Sequence, residues 1–354
     1  MKRVLVNPNI SDYFFPSFKS LLFKRKPLLK YSNNFDYYVC NESVFSSKLN
    51  FLISIEIFLW NQIIGKKYGV TLINLKDFKI LEKKEFYFSL PAVNDYTIKY
   101  IKEKYINSTI KIYYSHAHVH FDKIKSIIKH NDLIFLTENN IVNSLIIQKL
   151  MPLDIKYDLI KFNLNKRVLN AAKKITDLNS KGEGIIITGT YHDSEKNYIF
   201  KKQTTVFNVR TLHPMRYYIS ENKSLFPTLK ILTDNLIQKN YLELLFSSSQ
   251  KKYFTVDIIS QYLSSRFSII DIENITGIVP INYYESVVLG LIPIVPSNFI
   301  QYIDISGYEK SHIYYSDEDA LKKVCENSDA ELLKNIDIEN FKKYRSFLTN
   351  KYSK

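Results

Sequence analysis

Three histidines alternate in the heptapeptide Ser115-His116-Ala117-His118-Val119-His120-Phe121, and Asp122 follows directly. On an extended segment, residues two apart share a face, so the three imidazoles would project together. Such a set can hold zinc, with Asp122 or a more distant group as fourth ligand, and zinc-activated water would make the chain a hydrolase. The spacing matches no recognised zinc motif, and no second His/Cys cluster is available. The plainer reading is a metal-free polar strand end lining a cleft, where His118 or Asp122 can move a proton. Glu138 has a similar address. It closes the apolar run at 132–137, and Asn139 and Asn140 after it suit a tight turn and can orient the carboxylate as a general base.

The second half carries three further stretches. In "IIITGTYHDSEKNY" (185–198), Gly189 lets a ligand approach the backbone, and Thr190 and Tyr191 can donate hydrogen bonds. The stretch has neither the Gly-Lys-Ser/Thr ending of a phosphate loop nor the three-glycine dinucleotide pattern. In "RTLHPMRYYI" (210–219), Pro214 restricts His213 to extended geometry and so aims it. His213 can donate to a phosphate oxygen and Arg216 can add a forked cationic contact; the bland alternative is a strand terminator beside a surface arginine. The third, "ITGIVPINYYESVVLGLIPIV" (275–295), reads strand, turn with Asn282, helix with Glu285 and Ser286, then Gly290, Pro293 and a strand. Its helix N-terminus would offer N–H groups and a positive dipole end to a phosphate, although a plain crossover has the same pattern.

Alternating strands and helices position these residues. Strand-like runs at 4–6, 70–75, 86–90, 109–115 and 132–137 alternate with helical patterns at 48–64, 96–105 and 121–129. The grammar repeats after a helix at 166–178 and the linker-like hexamer "NSKGEG" at 179–184. Strands are then expected at 185–188, 206–212, 275–279 and 292–295, with mixed signals at 228–245, helices at 256–263 and 283–289, and helical residues from 317 onward. This predicts an α/β fold with mainly parallel sheets, whose ligands bind at the C-terminal edges of the strands. The domains expected are 1–165 and 166–330, with a helical tail at 331–354 packing back on the N-terminal domain.

Size and composition fit that division. A chain of 354 residues with 45% hydrophobic content is long for one core and natural for two. The 27 Tyr and 23 Phe, like the excess of Lys, Ile and Asn, match what an AT-rich genome produces and carry no functional weight. The formal charge of +14 favours a polyanionic partner, either a phosphorylated substrate or an anionic membrane surface. Nucleic acid is disfavoured, because the lysines are scattered and no binding signature is present. Cys40 and Cys325 form no disulfide framework and suit a reducing cytoplasm. The apolar run 51–65 is shorter than a bilayer and contains Glu56, so it reads as a buried or interfacial helix.

The spacing Glu285-x4-Gly290-x2-Pro293, closing on a β-branched strand, resembles the nucleotide-sugar half of glycosyltransferases of the GT-B type. With His213-Pro214 added, the chain resembles the bacterial sialyltransferase and Kdo-transferase branch, in which a His-Pro motif binds the phosphate of a CMP-sugar. Ser286 stands nearest to that branch's Ser/Thr motif, with Asn282 in the turn where the hydroxyl is expected. Glu138-Asn139-Asn140 stands where its acidic motif supplies the base, without the second acid or the glycine. The resemblance implies two Rossmann-like domains facing across a cleft and metal-independent sugar transfer without a cofactor. CMP-linked sialic acid or Kdo is the favoured donor, and the acceptor a saccharide or lipid-linked saccharide of a bacterial surface glycan such as lipooligosaccharide or capsule. Gly189, Thr190, Tyr191, His213, Pro214, Arg216, Asn282, Glu285 and Ser286 would then hold the nucleotide, and the enzyme would work in the cytoplasm, peripheral to the inner face of the membrane. The rival expectations are the histidine-cluster hydrolase and a non-catalytic glycan-binding protein.

Overall fold

The structure is a computed structural model. It describes the chain except residues 12, 19–34, 44–51, 80–81, 115–116, 118–119, 151–154, 162–163, 179–181, 198–200, 202–203, 236–257 and 354. The chain divides into two compact units, Met1–Glu138 with Lys149–Asn163, and Asn139–Gln148 with Leu164–Lys354. Each is built on one parallel sheet, so the α/β class with two doubly wound units expected from the sequence is observed.

Among the described residues, the first unit contains seven strands: β1 (Lys2–Val6), β2 (Tyr37–Cys40), β3 (Leu72–Asn74), β4 (Lys84–Ser89), β5 (Thr109–Tyr113), β6 (Leu133–Thr137) and β7 (Lys156–Leu159). Their order is β3-β2-β1-β4-β5-β6-β7, with every pairing parallel. This is the dinucleotide-fold order extended by one strand, and its switch point lies between β1 and β4. Central β4 is buried along its whole length, as a strand covered on both faces must be. The aromatic excess fills this core: Phe14 packs edge-on against Phe35, Tyr87 and Tyr113 at 5.8–6.2 Å. The crossovers are α1 (Ile53–Trp60), continuing through a π turn at Asn61–Gly65 to Lys66–Tyr68, then α2 (Asp95–Lys104) and α3 (Phe121–Ile127). Gly69, with φ +67°, ends the first of these in the left-handed conformation typical of a helix stop.

The second unit has, among the described residues, five strands: β8 (Ile185–Tyr191), β9 (Lys230–Asn235), β10 (Phe267–Ile269), β11 (Ile292–Pro296) and β12 (Ile313–Tyr315). The order β12-β11-β10-β8-β9 is again all parallel. In local numbering this is the flavodoxin-like order 2-1-3-4-5, whose switch point lies between β8 and β10. Among its helices are α4 (Lys166–Lys174), α5 (Pro214–Glu221), α6 (Ile258–Leu263), α7 (Ile281–Val288) and the C-terminal α8 (Ile338–Ser353). Helix α8 packs on α4 and α7 within this unit. From α8, Arg345 donates to the carbonyls of Val288 at 3.0 Å and Ala172 at 2.7 Å, satisfying the C-terminal ends of α7 and α4 with a cation.

Two strand expectations are corrected. The β-branched run at 206–212 is not a strand: Thr204–Val206 form a helical turn, and Thr211 only bridges Asp193. The Thr204 hydroxyl turns back to the Lys201 carbonyl at 3.1 Å, an alternative to extended pairing that Thr side chains offer. The run at 275–279 is a turn closed by a Glu273–Ile278 bridge, with Gly277 at φ +68°; the strand that precedes α7 is instead the shorter β10 at Phe267–Ile269. The part of the hexamer 179–184 that is described, Gly182 to Gly184, leads into β8 inside the second unit: the Gly184 N–H donates to the Asp329 carboxylate at 3.0 Å.

Candidate functional site

In the first unit, Glu138 follows β6 at the C-terminal edge of the sheet. Its carboxylate accepts a short hydrogen bond from the Tyr113 hydroxyl at the end of neighbouring β5. The Tyr113 ring is wedged edge-on against Tyr13 at 5.2 Å and Phe14 at 5.8 Å, so the donor is fixed by packing. Asn139 and Asn140 belong to the second unit. The Asn139 amide donates to the Gly277 carbonyl at 2.8 Å, and its oxygen accepts from the Val279 N–H at 3.0 Å, so it imitates a strand neighbour for that turn. Asn140 binds the Tyr302 carbonyl through its N–H at 2.8 Å and closes an Asx turn onto Val142.

Asp122 is exposed in the first turn of α3, and His120 stands at the N-cap of that helix. His116 and His118 lie outside the described residues. Among the described residues, no three His, Cys, Asp or Glu side chains are grouped to hold a metal ion.

The same edge carries a polar cluster that the sequence reading missed. Asn7, at φ +52° immediately after β1, accepts from the Asn41 N–H at 2.9 Å and donates to the Ala92 carbonyl at 3.2 Å, thereby spanning the switch point. Buried Asn9 donates to Glu56 at 3.1 Å, and the Ser43 hydroxyl donates to the other oxygen of the same carboxylate. Glu42 accepts from the Asn94 amide at 2.9 Å, while Asn94 also caps α2 by accepting from Thr97. Beside this cluster a cavity of about 220 Å³ is lined by Asn41, Asn74, Lys76, Tyr96 and Tyr100. The available signal was positional: an asparagine stands at or just after the end of β1, β2 and β3.

In the second unit the expected residues gather at the switch point of the sheet. His213 does not end a strand; it is the N-cap of α5, with Pro214 at N1, where a missing N–H costs nothing. The Asp271 carboxylate, just beyond β10, accepts the Arg216 N–H at 2.9 Å and so occupies the N-terminus of α5. Arg216 is not a surface cation. It is buried, its guanidinium donates to the Thr190 carbonyl at 3.0 Å and lies against Gly189, where a Cβ would come within 2.7 Å of Cζ. The absence of a side chain at Gly189 therefore makes room for Arg216. Tyr191 is buried with its hydroxyl 3.4 Å from Glu221, and burial raises its pKa.

The loop after β8 is tied to the residues leading into α5. Asp193 is fully buried, bridges Thr211 and receives Arg210 Nε at 3.3 Å, and the Arg210 guanidinium stacks over Tyr217 at 5.0 Å. Two more acids near Arg216 were missed. Burial pushes Asp271 up to about 6, against the opposing pull of Arg216, and Glu273 up to about 7, against the donated Thr276 hydrogen bond.

The glutamate–glycine–proline spacing has a largely structural basis. Gly290, at φ +83°, ends α7: its N–H donates to Val287 and the Leu291 N–H to Ser286, both at 2.9 Å, a Schellman stop. Pro293 lies in β11 opposite Ser268. Asn282 donates to the Thr188 carbonyl at 3.1 Å, pinning the first turn of α7 to β8, and fully buried Ser286 donates to the Tyr283 carbonyl. Glu285 is different: it is half-buried, and burial alone pushes its carboxyl up to about 7.

No protein-family model matches the chain, and no curated protein is similar to it at a significant level. Among solved structures, it is similar to an α,α-trehalose-phosphate synthase (UDP-forming) from Burkholderia vietnamiensis. The superposition covers 91% of this chain and 79% of that one, with 7% sequence identity and a TM-score of 0.40.

Proposed function

We propose that the chain is a GT-B-type glycosyltransferase that moves a sugar from a nucleotide-sugar to a saccharide of a bacterial surface glycan, with CMP-linked sialic acid or Kdo as the favoured donor. The observation that carries this reading is topological: His213 and the helix bearing Glu285 both begin at the C-terminal edge of the five-stranded sheet, on opposite sides of its switch point. That is where a phosphate-bearing ligand is held in open α/β sheets.

In this proposal, His213 donates to the donor phosphate together with the N–H groups of the first turn of α7, which begins at Pro280 without a side-chain cap. Arg216 contributes its positive field from behind Gly189 while fixing the path of β8, and Asn282 and Ser286 set the position of α7. Glu285 accepts sugar hydroxyls of the nucleotide. These dipoles and cations stabilise the departing nucleotide phosphate as the bond to the anomeric carbon breaks. On the first unit Glu138, aimed by Tyr113, takes the acceptor hydroxyl proton.

The test is thermal unfolding with CMP, UDP and GDP on the wild type and His213→Ala. A nucleotide at a hundred times its Kd adds about 2.7 kcal/mol of apparent stability. The expected result is a rise in Tm with CMP that His213→Ala abolishes. If none of the three nucleotides shifts the wild type, the transferase reading fails.

A further inference from the structure

Helix α1 with its continuation to Tyr68 presents two apolar faces. One is the core face: Ile53, Glu56, Trp60 and Ile64 are buried, and the Glu56 carboxylate is held by Asn9 and Ser43. The other face is open. Ile55 is 56% exposed, Phe58 61%, Leu59 45% and Ile63 50%. The spacing of three and four residues places these four side chains in one stripe along the helix. Gln62, Lys66 and Lys67 extend the same exposed surface. Soluble proteins scatter exposed apolar side chains singly, so a contiguous row of four on one helix marks an interaction surface.

The chemistry of the row identifies its partner. Glu56 is the one acid between Leu52 and Gly69, and it is buried, so the exposed face carries apolar, neutral polar and cationic side chains but no acid. A second copy of the chain would bring no acid on this face to meet Lys66 and Lys67. An anionic bilayer offers both complements, acyl chains for the stripe and headgroup charge for the lysines. Residues 53–68 extend about 24 Å at 1.5 Å per residue, short of the ~30 Å hydrocarbon core. No helix among the described residues is long and apolar enough to cross a membrane. We infer that this helix docks the first unit on an anionic membrane surface, with Ile55, Phe58, Leu59 and Ile63 entering the interface and Lys66 and Lys67 at the headgroups. Asn61 makes the docked helix a firm handle, because its amide pairs with both backbone groups of Leu72 at 2.7 and 2.9 Å and so couples the helix to β3.

The inference does not depend on the transferase reading. The experiment is co-sedimentation of the full chain with vesicles of phosphatidylcholine alone or containing a quarter phosphatidylglycerol. Binding is expected only to the anionic vesicles. Phe58→Asp with Ile63→Asp should weaken it at least ~10-fold, from the loss of two buried apolar side chains. Lys66→Gln and Lys67→Gln should each weaken it roughly five-fold, as one surface lysine less would do. Absence of wild-type binding to anionic vesicles would overturn the inference, as would binding indifferent to all four substitutions, or a wild-type dimer that Phe58→Asp converts to monomer.

Discussion

Replacing Gly189 by alanine tests whether the phosphate-side geometry is built around Arg216. The backbone at Gly189 has φ +115°, outside the range that side-chain-bearing residues adopt readily, and an added Cβ would sit 2.7 Å from Arg216 Cζ and 2.9 Å from Nη1. Backbone strain of this kind costs about 1–3 kcal/mol. The guanidinium must also move, and its bond to the carbonyl of half-buried Thr190, a charge-assisted hydrogen bond of about 1.5–3 kcal/mol, is lost. Gly189→Ala should therefore destabilise the protein by about 3–6 kcal/mol, measured by urea unfolding with circular dichroism. Arg216→Met removes the obstructing group and leaves only the backbone term. The double mutant should accordingly be more stable than additivity predicts by about 2 kcal/mol, a coupling expected for residues in contact. A Gly189→Ala cost below about 1 kcal/mol, or additivity within about 0.5 kcal/mol, would refute the claim that this glycine exists to admit Arg216.

The acids of the second unit give a pH dependence of definite sign. Asp271 is raised to about 6 and Glu273 and Glu285 to about 7, so the folded state binds their protons more tightly than the unfolded chain does. Their contribution to stability is then fullest below the unfolded carboxylate pKa and is lost as pH rises through 6 to 7. Asp271→Asn should gain stability relative to wild type between about pH 4 and pH 7, and parallel urea midpoints across that window would contradict it. Asn139→Leu loses both turn-closing bonds and should cost about 2–4 kcal/mol, whereas Asn139→Asp keeps the acceptor for Val279 and should cost less; equal losses in urea unfolding would show the clamp is not what matters. Tyr113→Phe removes the donor to Glu138 and should lower kcat of sugar transfer about 10-fold with KM for the donor unchanged, and an unchanged kcat would remove Glu138 from the chemistry.

What could be read from the sequence follows from how local the causes are. Runs such as 132–137 and 292–295 show up as strands because burial on both faces demands unbroken apolar residues, and the structure has β6 and β11 there. The run at 204–209 has the same β-branched character but is not a strand. Its fate is set by Asp193, 18 residues before Thr211, which claims Arg210 and Thr211 and leaves the preceding residues to a helical turn. β10 was missed for the opposite reason: it is three residues long and takes its identity from β8 and β11 on either side. Among candidate site residues, Glu138 is singled out by its position at a strand end and Glu285 by the glutamate–glycine–proline spacing. Asp271 and Glu273 could not be found that way, since what sets them apart is burial beside Arg216, 55 and 57 positions away.

The glycine and proline that made the 285–293 stretch look specific are explained without any ligand. Gly290 stops a helix, and Pro293 sits within a strand whose partners are parallel on both sides. The same holds for Gly189 and Pro214, which serve Arg216 and the first turn of α5. What remains once the fold has claimed its residues is a smaller set: His213 at the cap of one helix, Glu285 one turn into another, and Glu138 held by a wedged tyrosine. These are positioned by the framework: His213 caps α5, Glu285 is half-buried on α7, and Glu138 accepts from Tyr113. Burial lifts the Glu285 carboxyl to about 7, a cost to folding, and this together with its place on α7 is the ground on which the proposal gives it a role.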